Sequence, residues 1–169
     1  MRNLSIAVCL LWFTAQHASA QKLSPELREF VKVDAPVVAL THVRIIDGTG
    51  APAREDQTVI LSGGKITSVA DASSASIPKD ARLLDLGGDT VIPGLVGMHD
   101  HMFYPVGGRM YGEMGYSFPR LYLAAGVTTI RTTGSLEPYT DLNLKHKMDA
   151  GETPGPDIHV TGPYLEGAG

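Results

Sequence analysis

Residues 91–101 read Val-Ile-Pro-Gly-Leu-Val-Gly-Met-His-Asp-His. An apolar run broken once by Pro93-Gly94 ends on two histidines separated by one residue. Side chains alternate faces along a strand, so His99 and His101 are expected to point one way and Asp100 the other. Neutral imidazoles suit zinc, and also iron, nickel or cobalt. Two do not complete a site, because zinc takes three or four protein ligands. A His-x-His pair read alone also fits two ordinary polar residues in a loop, so its place in the fold has to decide.

The chain after the pair alternates in pattern. Residues 95–101 read as a strand. Residues 117–125, SFPRLYLAA, carry a Ser cap, a Pro in the first turn and Gly126 at the end, which together predict a helix. VTTIRTT (127–133) is short and β-branched, hence a strand. Residues 139–150 carry Leu142, Leu144 and Met148 before Gly151 and read as a second helix. Residues 157–161 form another strand. The order β-α-β-α-β predicts an α/β fold with a parallel sheet. Ligand sites in such sheets gather at the carboxyl ends of the strands, where His99 and His101 fall.

The chain before the pair reads as all-β. VVALTHVRII (37–46) is rich in β-branched residues. QTVILSGGKITSVA (57–70) predicts two strands joined at Ser62-Gly63-Gly64. ARLLDLGGDTVIPG (81–94) repeats the form around Gly87-Gly88-Asp89. Short strands at this spacing suggest a small sandwich or part of a barrel.

The first residues carry a different signal. Arg2 precedes an apolar run from Leu4 to Phe13, and Ala18-Ser19-Ala20 fits a cleavage site, so residues 1–20 read as a secretory signal peptide. The run is too short to span a bilayer. Val8 before Cys9 fits a lipoprotein box poorly, so release rather than membrane anchoring is expected, to the periplasm or the medium. Residues 1–20 hold the one Cys and the one Trp, which leaves the processed chain without a disulfide. Losing Arg2 moves the formal net charge from −4 to −5, and no basic cluster is present, which argues against nucleic acid and anionic membranes as partners. The organisation expected is a signal peptide (1–20), a linker (21–35), a β-rich domain (36–94) and βα units (95–169).

Several other residues carry competing readings. Gly48-Thr49-Gly50-Ala51-Pro52-Ala53 has the spacing of a dinucleotide fingerprint, but Pro52 and a following strand favour a turn. His42 on a strand and His146 on a polar helix face read as structural or surface residues. Strand alternation does not decide whether His159 lines a pocket. Arg131 is suited both to a substrate carboxylate and to an internal ion pair. Phe103 and Tyr104 wall a pocket or pack a core. No Gly-x-Ser-x-Gly elbow and no phosphate loop is present, and without a Cys in the processed chain nucleophilic serine or cysteine catalysis has no support.

Pro93-Gly94-Leu95-Val96-Gly97-Met98-His99-Asp100-His101 resembles the first metal motif of the amidohydrolase superfamily, Pro-Gly-Leu-Ile-Asp-x-His-x-His. Gly97 departs from the usual acidic residue. HVRIIDGTG (42–50), GGKITSVA (63–70) and LDLGGDTVIPGL (84–95) look like the β-rich segment before the barrel in that family. AAGVTTIRTTG (124–134) looks like its second barrel strand, and DAGETPGPDIHVTGPYL (149–165) resembles the third-strand region of the imidazolonepropionase-like and prolidase-like subgroup. Thr132 stands where that subgroup often has Asp. The likeness covers residues 36–169.

The resemblance implies a metal-dependent (β/α)₈ barrel beside a small composite β-sandwich, and hydrolysis of a C–N bond in a small amide or cyclic amide. One or two divalent ions, with zinc expected, would activate a water, and His99 and His101 match the first-strand ligands. The family's remaining ligands are a Lys or Glu on the fourth strand, histidines on the fifth and sixth, and a general-base Asp on the eighth. All are expected beyond Gly169, so the chain itself offers no catalytic residue. It therefore reads as the first three barrel strands of a longer or truncated hydrolase, expected to be poorly soluble alone. The alternative is a non-catalytic secreted module with an incomplete metal site.

Overall fold

In the computed structural model, residues 23–165 and 167 are described; the signal-peptide reading of residues 1–20 lies outside them. β-Branched side chains at Val37, Val38, Thr41, Val43 and Ile45 favour the pleated backbone of β1 (Val37–Ile45). It pairs antiparallel with β2 (Arg54–Ser62), which pairs antiparallel with β3 (Lys65–Asp71). Gly63 and Gly64 take φ +56° and +73°, the left-handed pair that a two-residue hairpin turn of right-handed twist requires.

The next two strands depart from the sequence reading. β4 (Arg82–Asp85) and β5 (Thr90–Val91) do not pair with each other. Both run parallel to β1, β4 along Val38–Thr41 and β5 along Arg44–Ile45. The cause lies in Leu86–Asp89, where Asp89 N donates to Leu86 O at 2.9 Å and the chain jogs without reversing. The jog sits opposite a bulge in β1, where His42 has φ +59°. Leu86 N on Thr41 O and Arg44 N on Asp89 O bracket it on either side. The result is one mixed five-stranded sheet, and among the described residues no second sheet packs on it as a sandwich.

A separate three-stranded sheet holds β6 (Leu95–Asp100), β9 (Val127–Thr132) and β10 (Asp157–His159), all parallel, in the order β10-β9-β6. Between β6 and β9 come β7 (Phe103–Gly107) and β8 (Met110–Glu113), an antiparallel hairpin absent from the sequence reading, and then α2 (Ser117–Ala124). α3 (Pro138–Asp149) joins β9 to β10. The expected alternation of strands and helices is thus present. α2 begins one residue earlier than a Ser cap implies, with Tyr116 at the cap position and no side-chain capping bond.

Met102, Ile130, Leu144 and Ile158 form the buried core of this parallel unit, with Phe118, Tyr122 and Met148 packed on it. Alternation along β9 and β10 therefore puts Ile130 and Ile158 under the helices and leaves Arg131 and His159 on the open face. Val96 and Met98 are also exposed there, at 58% and 64%, as the open edge-stranded sheet predicts.

The segment read as a linker is partly ordered. Ser24 caps α1 (Pro25–Arg28) by accepting from Leu27 N, and Ser24 N donates to Gly151 O at 3.1 Å. The Arg120 guanidinium of α2 lies over the Phe30 ring. No described helix is long and apolar enough to cross a membrane.

Candidate metal and substrate site

His99 is the penultimate residue of β6, and His101 stands just past its end. The pairing of β6 with β9 shifts register between Gly97 and Asp100, so the two histidines do not follow simple alternation. Their rings nevertheless meet, with centroids 5.4 Å apart and planes at 85°. Two imidazoles bound to one zinc at 2.0–2.1 Å with tetrahedral angles have centroids about 5 Å apart. The pair fits a shared divalent ion in donor type and in spacing.

The loop after β9 holds the His101 ring. His101 Nδ1 lies 3.4 Å from Gly134 O, and the tautomer that donates there leaves Nε2 as a free lone pair. Gly134 is fixed in turn, since its N–H donates to Thr161 Oγ1 at 2.9 Å. Thr161 N donates to Thr132 Oγ1 at 2.8 Å, and the two hydroxyls lie 3.2 Å apart. Thr132, buried at the end of β9, thus ties β9 to β10 behind the histidine. On the other side Tyr122 of α2 donates its hydroxyl to His101 O at 3.2 Å and shares a 2.7 Å bond with the Tyr104 hydroxyl. Burial, and then Tyr104, push the Tyr122 phenol well above its ordinary value, so it stays a donor.

Asp100 does not join the histidines. Its backbone O accepts from Thr133 N, and its carboxylate folds over Gly97, where an added Cβ would fall on Oδ2. The glycine that departs from the family motif therefore makes room for a carboxylate supplied three residues later.

Two further acidic groups, Glu113 at the end of β8 and Asp141 in the first turn of α3, were not recognised in the sequence. Both carboxylates are buried without a hydrogen-bond partner. Burial holds Glu113 above the usual carboxylate range, and the charges of Asp141 and Glu137 add to this. Burial also raises Asp141. The hairpin that carries Glu113 was itself unseen; Asp141 left a faint signal as an acidic residue at a helix start. Among the described residues, no three His, Cys, Asp or Glu side chains converge as a metal-binding group.

His159 is cross-strand neighbour to Arg131 on the open sheet face and pairs loosely with Asp157 at 3.7 Å. Arg131 makes no ion pair among the described residues. His42 bonds Asp56 at 2.8 Å across the bulge, and His146 is exposed on α3, as expected of structural and surface residues. Asp47 Oδ1 accepts from the Thr49 N–H and hydroxyl, so the Gly48–Ala53 stretch is a turn rather than a nucleotide loop.

No protein-family model matches the chain. It is 38% identical over 115 residues to an allantoinase of Streptomyces avermitilis, covering 66% of this chain and 24% of the relative. It is 39% identical over 83 residues to a dihydroorotase of Syntrophus aciditrophicus, covering 49% of this chain and 19% of that one. Among solved structures, a candidate prolidase from Bifidobacterium longum superposes with TM-score 0.64 at 32% identity, over 80% of this chain and 33% of the other. The chain belongs to the amidohydrolase superfamily. This amidohydrolase chain spans about a quarter of the length of the allantoinase it matches and about a third of the prolidase-like structure.

Proposed function

We propose that this chain contributes the first-strand metal ligands of an exported hydrolase that cleaves a C–N bond in a small amide or cyclic amide. His99 and His101 supply two of the ligands to one divalent ion, zinc by preference. β6, β9 and β10 are the first strands of a (β/α)₈ barrel, and β1–β5 belong to a composite β-domain. The observation that carries the reading is the edge-to-face meeting of the two imidazoles at 5.4 Å, at the carboxyl end of a parallel strand. The names of the similar allantoinase and dihydroorotase support cyclic amides as the substrate class.

A bound divalent ion supplies a water of lowered pKa and polarises the substrate carbonyl. The chain's own residues prepare for this. Gly134 O orients the His101 imidazole, and the Thr132–Thr161 hydroxyls hold Gly134. Tyr122 fixes the backbone at His101 from the helix side. Export rests on residues 1–20.

The test is hydrolysis of a panel of hydantoins, dihydropyrimidines and N-acyl amino acids by the longer hydrolase to which this chain contributes, supplied with zinc. Turnover of a panel member that His101→Asn abolishes is the expected result. Turnover insensitive to His99→Gln and His101→Asn would contradict the assignment.

A further inference from the structure

Immediately beside His101, the structure has a feature that the metal reading leaves unused. Phe103, Tyr104, Tyr111, Leu136 and Tyr164 line a groove of about 490 Å³ that also reaches His101. Phe103 forms its floor, 8% exposed, with its ring 4.7 Å from the His101 ring. Tyr111 and Tyr164 meet Phe103 edge to face at 5.8 Å and 6.2 Å, yet each remains about half exposed, at 60% and 45%. Tyr104 is committed elsewhere, stacked on Phe118 at 4.0 Å with its hydroxyl on Tyr122.

Three of these side chains come from the hairpin β7–β8, and Tyr164 follows β10. Gly134 lets the two parts meet. A Cβ there would strike the Tyr164 ring, and its φ of +88° already favours glycine. The same glycine presents its carbonyl to His101, so one backbone position sets both the imidazole and the aromatic wall.

We propose that this groove is the subsite for a neutral aromatic group of the substrate, attached directly or through one carbon to the amide carbonyl. The proposal rests on the hydrolase reading and narrows its substrate class to aryl and benzyl amides. The lining contains no Asp, Glu, Lys or Arg, so a charged substituent would lose its hydration with no counter-charge in return. Aromatic edges and faces around a concave slot favour a planar ring packed edge to face. The short step from Phe103 to His101 sets how close that ring lies to the bond that is cut.

The test measures equilibrium binding of benzamide and of acetamide to the full chain by NMR titration, zinc-free and zinc-loaded. Benzamide is expected to bind about tenfold or more tightly in both forms, with its ring protons shifted upfield by the surrounding aromatics. Tyr111→Leu and Tyr164→Leu are each expected to reduce that ratio several-fold. Equal affinities, or a ratio that neither variant changes, would overturn the subsite, as would tighter binding of tetramethylammonium than of benzamide. Loss of zinc uptake with the benzamide preference intact would remove the hydrolase reading and leave the subsite standing. Zinc retained by a chain without the preference would do the reverse.

Discussion

The rings of His99 and His101 lie 5.4 Å apart and nearly perpendicular, although a register shift in β6 separates the two residues from regular strand geometry. The shift is accommodated by Asp100, whose carboxylate turns back over Gly97. Local irregularity and the meeting of the imidazoles are therefore parts of one arrangement.

Gly97→Ala is expected to destabilise the fold by about 1–3 kcal/mol, because the new Cβ competes with Asp100 Oδ2 for the same space. Asp100→Ala should relieve the clash. Urea unfolding of the two single variants and the double variant forms a cycle, and the double is expected to be more stable than additivity allows. Strict additivity would show that Asp100 does not occupy that space.

Thr161→Val removes the hydroxyl that accepts from Gly134 N and meets Thr132 Oγ1. Outer partners of metal-bound histidines typically affect metal affinity by 10- to 100-fold, and a loss of about tenfold in zinc affinity is expected here. Stability is expected to fall by about 1 kcal/mol. Competition with a chromophoric chelator reads the first effect and thermal unfolding the second. Unchanged zinc affinity would detach this network from the histidines.

Glu113 and Asp141 give the fold a definite pH dependence. Each has a folded-state pKa raised above its unfolded value, so the protonated form suits the fold better. The stability this contributes is fully present below the unfolded carboxylate range, about pH 4, and is lost as pH rises through the folded values. Glu113→Gln is therefore expected to raise Tm at pH 7 relative to the wild type and to flatten the profile between pH 4 and 7. A Tm lower at pH 7 with a steeper profile would mean that Glu113 is ionised and paired in the fold.

The sequence made the parallel unit legible because two strong signals coincided there. β-Branched runs at Val127–Thr132 and around Asp157–His159 alternate with helix-forming segments that stop at Gly126 and Gly151, and the structure follows them closely. Gly87-Gly88-Asp89 misled because a double glycine marks a reversal and a jog alike. Only the pairing with β1 distinguishes them, and that pairing is non-local. The β7–β8 hairpin was hidden for another reason. Its turn is Gly108-Arg109 with both residues left-handed, φ +58° and +62°, and arginine is not a residue that announces such a turn. Glu113 and the Tyr111 wall were lost with it. The histidine pair was legible, while the carbonyl of Gly134 that orients it, 33 residues away in sequence, was not.

Zinc K-edge absorption spectroscopy of the zinc-loaded full chain tests the central claim most directly. The account predicts nitrogen scatterers at about 2.0–2.1 Å with the outer-shell pattern of two imidazoles. In His99→Gln and in His101→Gln the count should fall by one. A spectrum without imidazole scattering, or one that neither substitution alters, would contradict the assignment of His99 and His101 as a metal-binding pair.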